Sequence, residues 1–331
     1  MIDPVYSAAP DRYHGGMKYR RAGKSGILLP EISLGLWHNF GDVDTLSEKI
    51  HHAFDKGITY IDLANNYGPS YGSAEETFGQ IMKKSLAPYR DELFISTKAG
   101  HDMWEGPYGI WNSRKHLMAS IDQSLKRMNL EYVDIFYSHR YDPETPLEET
   151  LQALVDIVRQ GKALYVGISK YPKEAAEIAY RYLADNHVPC LLYQGRYNLF
   201  NREPEEEGIL DQASKHGSGF VAFSPLAQGL LTGRYLDGIP DDSRIARGGH
   251  LKKEALTEDV LRKIRDLNEI AARRGQTLAE MSLAWLLKDE KVTSVIIGAS
   301  SVKQIDDNLK SLDNRSFCDE EICLINNVLS R

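Results

Sequence analysis

The sequence predicts an α/β fold, a closed (β/α)8 barrel of parallel strands surrounded by helices. From Glu31 onward, eight short apolar runs rich in β-branched residues alternate with longer segments of helical period. No linker rich in Pro, Gly or Ser divides the 331 residues, so we expect a single domain over 1–331. An open doubly wound sheet is the alternative, and eight βα units in an unbroken chain favour the closed barrel.

The eight predicted strands are short, and each is followed by a longer connection. In chain order they are 32–37, 58–62, 92–97, 132–138, 163–169, 190–194, 219–224 and 293–300.

The segments between these strands predict amphipathic helices. In 147–160, apolar residues recur at three- and four-residue steps, which places them on one helical face. They are Leu147, Leu151, Leu154, Val155 and Val158. Gly57, Gly161 and Gly217 each follow a predicted helix and precede a strand. Because glycine adopts the left-handed conformation at little cost, we expect these three residues to end their helices.

The first thirty residues do not follow the βα repeat. A short hairpin is predicted over 17–29, with its turn at 24–26, and we expect it to cap the bottom of the barrel. Residues 1–16 are predicted to be an irregular N-terminal extension. Two connections are long enough to be functional loops, 100–113 after the third strand and 225–257 after the seventh.

Composition limits the classes of function. Hydrophobic residues make up 42% of the chain and charged residues 26%, which is typical of a globular protein. With 40 Lys and Arg against 47 Asp and Glu, the net charge is −7, which gives no general attraction to nucleic acid. No apolar stretch approaches the roughly 18 residues that span a bilayer, so no membrane partner is expected.

The N-terminal sequence and the cysteines bear on the compartment. The polar N-terminus has no apolar core of a signal peptide, which predicts a cytoplasmic location. The three cysteines, Cys190, Cys318 and Cys323, lack metal-ligand spacing, so we expect reduced thiols and no metal.

Polar residues stand at or just after the carboxyl end of nearly every predicted strand. They are Asp62, Lys98, His139, Ser169, Gln194, Ser224 and Ser300. In a parallel barrel all these strand ends open onto one face, so the side chains are expected to converge on one pocket. A single carboxylate or lysine at a strand end is usually a turn former or a solvated charge, but the joint pattern favours a site.

Three of these residues, Asp62, Lys98 and His139, are suited, together with Tyr67, to proton transfer next to a carbonyl group. Tyr67 lies five residues beyond Asp62, and the ammonium of Lys98 is expected to lower the pKa of its phenol from about 10. Asp62 would keep Lys98 charged and oriented, and His139 would donate a hydrogen bond to the carbonyl oxygen.

At these residues the sequence resembles the aldo-keto reductase superfamily. The motifs DLANNYG, ISTKAG and DIFYSHR match those that carry the catalytic tetrad of that family, here Asp62, Tyr67, Lys98 and His139. Four further segments carry a closer resemblance: LGLWHNFG, ANNYGPSYGSAEE, GHDMWEGPYG and FSPLAQGLLTGRYLDGIPDDSR. They resemble most the bacterial branch of L-glyceraldehyde 3-phosphate reductases, which is related to the potassium-channel β subunits. It implies a TIM barrel with Tyr67 as general acid.

The resemblance also implies NADPH (NADP+) as the cofactor, bound without a Rossmann fingerprint. Ser169 and Gln194 correspond to residues that bind the nicotinamide carboxamide, and Phe223 to the aromatic residue that stacks on the ring. The pyrophosphate loop corresponds to Ser224, Leu226, Gln228, Gly229, Leu230 and Arg234. The adenosine site corresponds to Ser300, Gln304, Asp307 and Asn308, with Arg244 at the 2′-phosphate. Many relatives have Asn where this chain has Lys170.

The function implied is the NADPH-dependent reduction of small aldehydes such as L-glyceraldehyde 3-phosphate or methylglyoxal. Trp37, Tyr67, Trp104 and Arg140 are expected to form the substrate pocket. Arg140 or Arg196 would contact a substrate phosphate or pair with a carboxylate.

Two alternatives differ in class. One is an NADPH-binding regulatory subunit like the channel β subunits, against which the intact tetrad argues. The other is a metal-dependent barrel hydrolase, which predicts ligand clusters that the strand ends lack. The resemblance also implies a homo-oligomer, a tetramer or an octamer.

Overall fold

The computed structural model describes residues 6–37, 42–236, 238–241, 243, 245–246, 248 and 251–330. Eight parallel strands close into a barrel, in the order β10-β3-β4-β5-β6-β7-β8-β9. The strands are β1 (Tyr19–Arg21), β2 (Leu28–Pro30), β3 (Ile32–Gly35), β4 (Tyr60–Asp62), β5 (Phe94–Ala99), β6 (Val133–Ser138), β7 (Ala163–Ser169), β8 (Cys190–Arg196), β9 (Gly219–Phe223) and β10 (Val292–Ile297). The predicted (β/α)8 barrel is confirmed.

The helices pack around the barrel. They are α1 (Val43–Asp55), α2 (Ser73–Ile81), α3 (Arg114–Met128), α4 (Leu147–Arg159), α5 (Lys173–Asp185), α6 (Glu203–Glu206), α7 (Ile209–Lys215), α8 (Glu258–Arg273), α9 (Leu278–Leu287), α10 (Val302–Leu309) and α11 (Asp319–Leu329). The helix predicted at 147–160 is α4, and Gly57, Gly161 and Gly217 take left-handed φ values of 82°, 73° and 75° where a helix gives way to the next strand.

Strand ends differ from the prediction by a few residues. The last strand was predicted to reach Ser300 but ends at Ile297. Beyond it, the backbone N–H of Ser300 donates to Oε1 of Gln304, 2.8 Å away, which turns the chain into α10 instead of continuing the ladder. β8 runs further than predicted, because Gly195 and Arg196 keep their pairing with β9.

The N-terminal hairpin closes the bottom of the barrel, as the sequence predicts. β1 and β2 pair antiparallel, and Ala22 and Leu29 are fully buried against Tyr60 and Phe94, the first residues of β4 and β5. Residues 6–16 contain no strand or helix, yet they pack on the barrel exterior. The ring of Tyr6 stacks on His51 of α1 at a centroid distance of 3.7 Å.

Strand alternation selects which side chains enter the barrel at its carboxyl end. Successive residues of a strand point to opposite faces, so Tyr60 and Asp62 on β4 face the same way. On β5 the same rule groups Ser96 with Lys98. Because β4, β5 and β6 are neighbours, the predicted tetrad occupies one arc of the barrel. The candidate cofactor residues at the ends of β7 to β10 occupy the adjoining arc. No helix in the described part of the chain is long and apolar enough to cross a membrane.

Candidate active site

The centre of the site is a buried ion pair between Asp62 and Lys98. Nζ of Lys98 donates to Oδ2 of Asp62 at 2.7 Å and to the carbonyl oxygen of Leu63 at 2.6 Å. Both side chains are almost completely inaccessible to solvent. Burial lowers the pKa of the Lys98 ammonium, while the Asp62 carboxylate opposes that shift. Asp62 therefore holds the ammonium in its charged form and in one place.

The other oxygen of Asp62 is also fixed by hydrogen bonds. Oδ1 accepts from Oγ of Ser96 at 2.8 Å and from Nε2 of Gln194 at 2.9 Å. The hydroxyl of Tyr60 lies 3.4 Å from the same oxygen and 3.0 Å from the hydroxyl of Tyr137. These hydrogen bonds stabilise the negative charge of Asp62 inside the barrel. Lys98 donates to Asp62 and Leu63, so its third N–H can point outward, toward Tyr67.

Tyr67 is the next group outward. Nζ of Lys98 lies 3.4 Å from its hydroxyl and 4.9 Å from the centroid of its ring. The expected lowering of its pKa by Lys98 is wrong for this structure. Burial raises the pKa of the Tyr67 phenol well above 10, and the negative charge of Asp62 adds to the effect. The phenol is therefore protonated at neutral pH.

His139 faces the ring of Tyr67 edge to face, at a centroid distance of 5.9 Å. Burial and the nearby charges of Lys170 and Lys98 hold the pKa of the imidazole well below 6.5, so His139 is neutral. Its buried Nδ1 has no hydrogen-bond partner among the described residues. An orphaned N–H group is rarer than an orphaned lone pair, which favours the tautomer that carries its proton on Nε2. The structure thus brings all four predicted tetrad residues together.

The three residues expected at the nicotinamide end lie beside this cluster. Ser169 and Gln194 are neighbours in the β7–β8 ladder, and Phe223 ends β9. Oγ of Ser169 is buried and has no hydrogen-bond partner among the described residues, as fits a donor reserved for a bound amide. The amide of Gln194 donates to Asp62, so this residue links the two arcs of the site.

The loop after β9 is held in an uncommon backbone conformation. Ser224, Ala227 and Gln228 have φ values of 53°, 47° and 59°, and Gly229 has 103°. Non-glycine residues in the left-handed region cost about 1–3 kcal/mol each and are concentrated at ligand sites. Nδ2 of Asn198 donates to the carbonyl oxygen of Ser224 at 2.9 Å and anchors the start of the loop. Oε1 of Gln228 is buried without a partner in the described structure. These features fit residues that hold a pyrophosphate.

The other candidate cofactor residues are distributed around this loop. Leu230 is buried, Leu226 is half-buried and Arg234 is exposed. In α10, Asn308 is buried, Gln304 accepts from the backbone of Ser300, and Asp307 forms ion pairs with Lys303 and Lys310. Arg244 lies outside the described residues.

The predicted substrate-pocket residues are less closely gathered. Trp37 is half-buried just after β3. Trp104 packs on His116 of α3, at a centroid distance of 4.7 Å. Arg140 lies over the ring of Trp111 at 3.7 Å, and its Nε donates to the carbonyl oxygen of Gly100. Arg140 thus braces the 100–113 loop.

Two residues that the sequence analysis did not assign to the pocket stand directly over the tetrad. Nζ of Lys170 lies 3.0 Å from Nε2 of His101, and the His101 ring meets that of His139 edge to face at 4.5 Å. The available signal for His101 was its place just beyond the third strand, two residues from the end of β5. Within the described residues, no three His, Cys, Asp or Glu side chains are placed to hold a metal ion together.

Comparison with known proteins agrees with this geometry. The aldo/keto reductase family profile matches residues 31–330. An L-glyceraldehyde 3-phosphate reductase of Escherichia coli O157:H7 is 56% identical over 328 residues, which covers 97% of this chain and 94% of that protein. The same enzyme of Escherichia coli strain K12 is 55% identical over the same shares. A probable voltage-gated potassium channel subunit beta of Oryza sativa subsp. japonica is 37% identical over 308 residues, 90% of this chain and 92% of that protein.

The family profile spans the whole barrel, from the residue before β3 to the end of the described chain. The matched regions also cover nearly the full length of these relatives. The chain therefore belongs to the aldo/keto reductase family of oxidoreductases.

Proposed function

We propose that the protein reduces small aldehydes to alcohols with NADPH, among them L-glyceraldehyde 3-phosphate and methylglyoxal. The observation that carries this proposal is the contact of a protonated Tyr67 with the buried Lys98–Asp62 pair, next to a neutral His139. The substrate class is supported by the name and the high identity of the Escherichia coli relatives.

Each side chain of the tetrad has a separate role in carbonyl reduction. His139 donates a hydrogen bond from Nε2 to the carbonyl oxygen and orients it. Tyr67 gives its proton to the oxygen as negative charge develops there, and the ammonium of Lys98 stabilises the phenolate that remains. Asp62 keeps that ammonium charged through the exchange. NADPH, when bound, supplies the hydride that reaches the carbonyl carbon.

The residues present fit this cofactor. Ser169, Gln194 and Phe223 would hold the nicotinamide end, and the strained loop of Ser224 to Leu230 would hold the pyrophosphate. The candidate adenosine residues lie on α10 and just before it, after β10. Because β7, β8, β9 and β10 are consecutive in the barrel, the candidate cofactor residues follow one another along its rim. From the resemblance, Arg244 would select the 2′-phosphate of NADPH through a charge-assisted contact.

The direct test is to follow NADPH absorbance while the protein acts on glyceraldehyde 3-phosphate, methylglyoxal and short neutral aldehydes. Steady loss of NADPH with at least one aldehyde, dependent on the protein, is the expected result. NADH in place of NADPH is the matched control, and slower or weaker use of NADH is expected. Absence of turnover with every aldehyde would contradict the proposal.

A second candidate is a regulatory subunit that binds NADPH. The observation in its favour is the identity of 37–38% to probable potassium channel β subunits of rice and Arabidopsis thaliana. The complete tetrad favours the enzyme. Tight NADPH binding without aldehyde turnover would favour the regulatory subunit instead.

Two further properties are proposed from the sequence. They are a cytoplasmic location and, from the family resemblance, a homo-oligomer of four or eight chains.

A further inference from the structure

Lys170 is the first residue after β7, and its side chain extends into the candidate substrate cleft. It directly follows Ser169, and its Nζ reaches across the cleft to Nε2 of His101 at 3.0 Å. The same Nζ lies 6.0 Å from the ring centroid of Phe223, the residue expected to stack on the nicotinamide. The ammonium therefore lies between the expected hydride donor and the loop that follows β5.

The backbone of Lys170 is held in the left-handed region, with a φ of 56°. That conformation is unfavourable for a lysine and is characteristic of functional sites. It is stabilised by a hydrogen bond from the Lys170 N–H to the carbonyl oxygen of Gln194. The strain fixes the direction in which the side chain leaves the strand end.

No carboxylate among the described residues forms an ion pair with Lys170. The charges that act on it are those of Lys98 on β5 and Arg140, two residues beyond β6, and both are cations. Asp102 and Asp142 lie near Arg140 and partly offset its charge. His101 and His139 are neutral, because burial and these same cations lower their pKa values, that of His101 to about 3. His101 therefore accepts the hydrogen bond from Lys170 and supplies no charge.

An excess of positive charge beside a binding site attracts and orients an anion. The Asp62 carboxylate is already occupied by Lys98, Ser96 and Gln194 and is buried inside the barrel. The counter-ion that Lys170 lacks is therefore expected from a ligand in the cleft. This argument rests on the proposed reduction of aldehydes.

We propose that Lys170, oriented by His101, binds an anionic group of the substrate, so that the protein selects aldehydes bearing a phosphate monoester or a carboxylate. The two arginines considered from the sequence are less well placed. Arg140 is committed to the ring of Trp111 and the carbonyl oxygen of Gly100. Arg196 ends β8, and no described contact places its side chain beside the tetrad. Lys170 acts on specificity, and the proton chemistry stays with the tetrad.

The first experiment compares matched aldehydes in wild-type protein and three variants. The phosphate pair is glyceraldehyde 3-phosphate and glyceraldehyde, and the carboxylate pair is succinic semialdehyde and butanal. Lys170→Met removes the charge, Lys170→Arg retains it, and Lys84→Met removes a surface lysine in the segment before β5 as a matched control. The quantity measured is the ratio of kcat/KM for the anionic aldehyde to that for its neutral partner.

Lys170→Met is expected to lower that ratio by roughly tenfold to hundredfold, the size of one charge-assisted hydrogen bond. Lys170→Arg and Lys84→Met are expected to keep most of it. The pair whose ratio falls identifies the anion as phosphate or carboxylate. An unchanged ratio in Lys170→Met for both pairs would overturn the proposal.

The second experiment does not require turnover. Calorimetry with glycerol 3-phosphate and with glycerol, in the presence of NADP+ and in its absence, measures anion binding by itself. Binding of glycerol 3-phosphate that weakens at least tenfold in Lys170→Met supports the anion site even in a protein that reduces no aldehyde. Equal affinity in wild type and Lys170→Met overturns it, whereas failure of the proposed reduction shows only in the NADPH assay.

Discussion

Burial decides the protonation states around Lys98. The barrel interior removes water from Lys98, Tyr67 and His139, and each of their pKa values moves toward the neutral form. Only for Lys98 does a neighbouring opposite charge oppose the effect of burial on the pKa, because Asp62 is in direct contact with it. The result is one fixed ammonium beside a protonated phenol and a neutral imidazole, a set that can donate a proton without first having to acquire one.

Replacement of Tyr67 by Phe tests this arrangement. The change removes the hydroxyl 3.4 Å from Nζ of Lys98 and keeps the ring that packs against His139. We expect kcat to fall on the order of 10²-fold or more, because the developing alkoxide loses its proton donor. The Kd for NADPH, measured by fluorescence titration, should hardly change. Normal turnover in the Tyr67→Phe variant would exclude Tyr67 as the general acid.

The pH dependence of substrate use tests Lys170. Burial, with the charges of Lys98 and Arg140, lowers the pKa of its ammonium to about 8, so the charge is present below that pH and lost above it. For an anionic aldehyde, kcat/KM should fall as the pH rises through about 8, while the value for the matched neutral aldehyde should not follow it. Tyr67 cannot cause this fall, because its pKa lies well above 10.

The Lys170→Arg variant is the control for that profile. An arginine stays charged throughout the measured range, so its profile for the anionic aldehyde should be flat near pH 8. A wild-type profile that is the same for both aldehydes would rule out Lys170 as the titrating group.

At the scale of single residues, the sequence predicted which residues form the site better than it predicted their surroundings. Motifs and strand ends identified Asp62, Tyr67, Lys98 and His139, and the structure brings them together. The direction of the pKa shift of Tyr67 was wrong, because burial outweighs the nearby ammonium and no sequence pattern measures burial at that position. His101 was missed because its relation to Lys170 depends on two strand ends that lie far apart in the chain.

At the scale of the strand, close packing inside the barrel supports the site from below. A Cβ atom on Gly167 of β7 would lie 2.4 Å from a ring carbon of Tyr137 on β6. The hydroxyl of Tyr137 contacts that of Tyr60, which in turn approaches Asp62. Glycine at 167 is thus required by space rather than by backbone conformation.

Gly167→Ala should therefore destabilise the barrel. We expect the free energy of unfolding to fall by about 1–3 kcal/mol, the usual cost of overpacking a dense core. Chemical denaturation followed by circular dichroism measures it. Gly26→Ala is the control, since no atom lies within 4 Å of a Cβ placed there, and its effect should stay within about 0.5 kcal/mol. Equal free energies of unfolding for the two variants would show that the ring of Tyr137 moves aside without loss of stability.

The order of the elements was predictable and their ends were not. Alternation of apolar runs with helical segments predicted all eight barrel strands, because each such run is buried on both faces in a parallel barrel. The last strand stops early at Ile297 because Gln304, seven residues further on, captures the backbone of Ser300. Such a capping contact has no periodicity, so the hydrophobic pattern runs past it.

At the scale of the whole molecule, the prediction concerns assembly, and it rests on the family resemblance, which implies a homo-oligomer of four or eight chains. All four tetrad residues come from β4, β5, β6 and the loops that follow them in one chain, so each barrel contains a complete proton-transfer set. Subunit contacts would then act on stability and on loop order rather than on the chemical step.

Light scattering at micromolar concentration should give a mass near four or eight times 37.4 kDa. Activity per chain, measured over a dilution series in the same buffer, should stay constant until the assembly dissociates. Beyond that point a gradual loss is expected, as isolated barrels lose the stabilisation that binding supplies by mass action. A monomer with full and lasting activity at every concentration would refute the predicted assembly and leave the tetrad chemistry untouched.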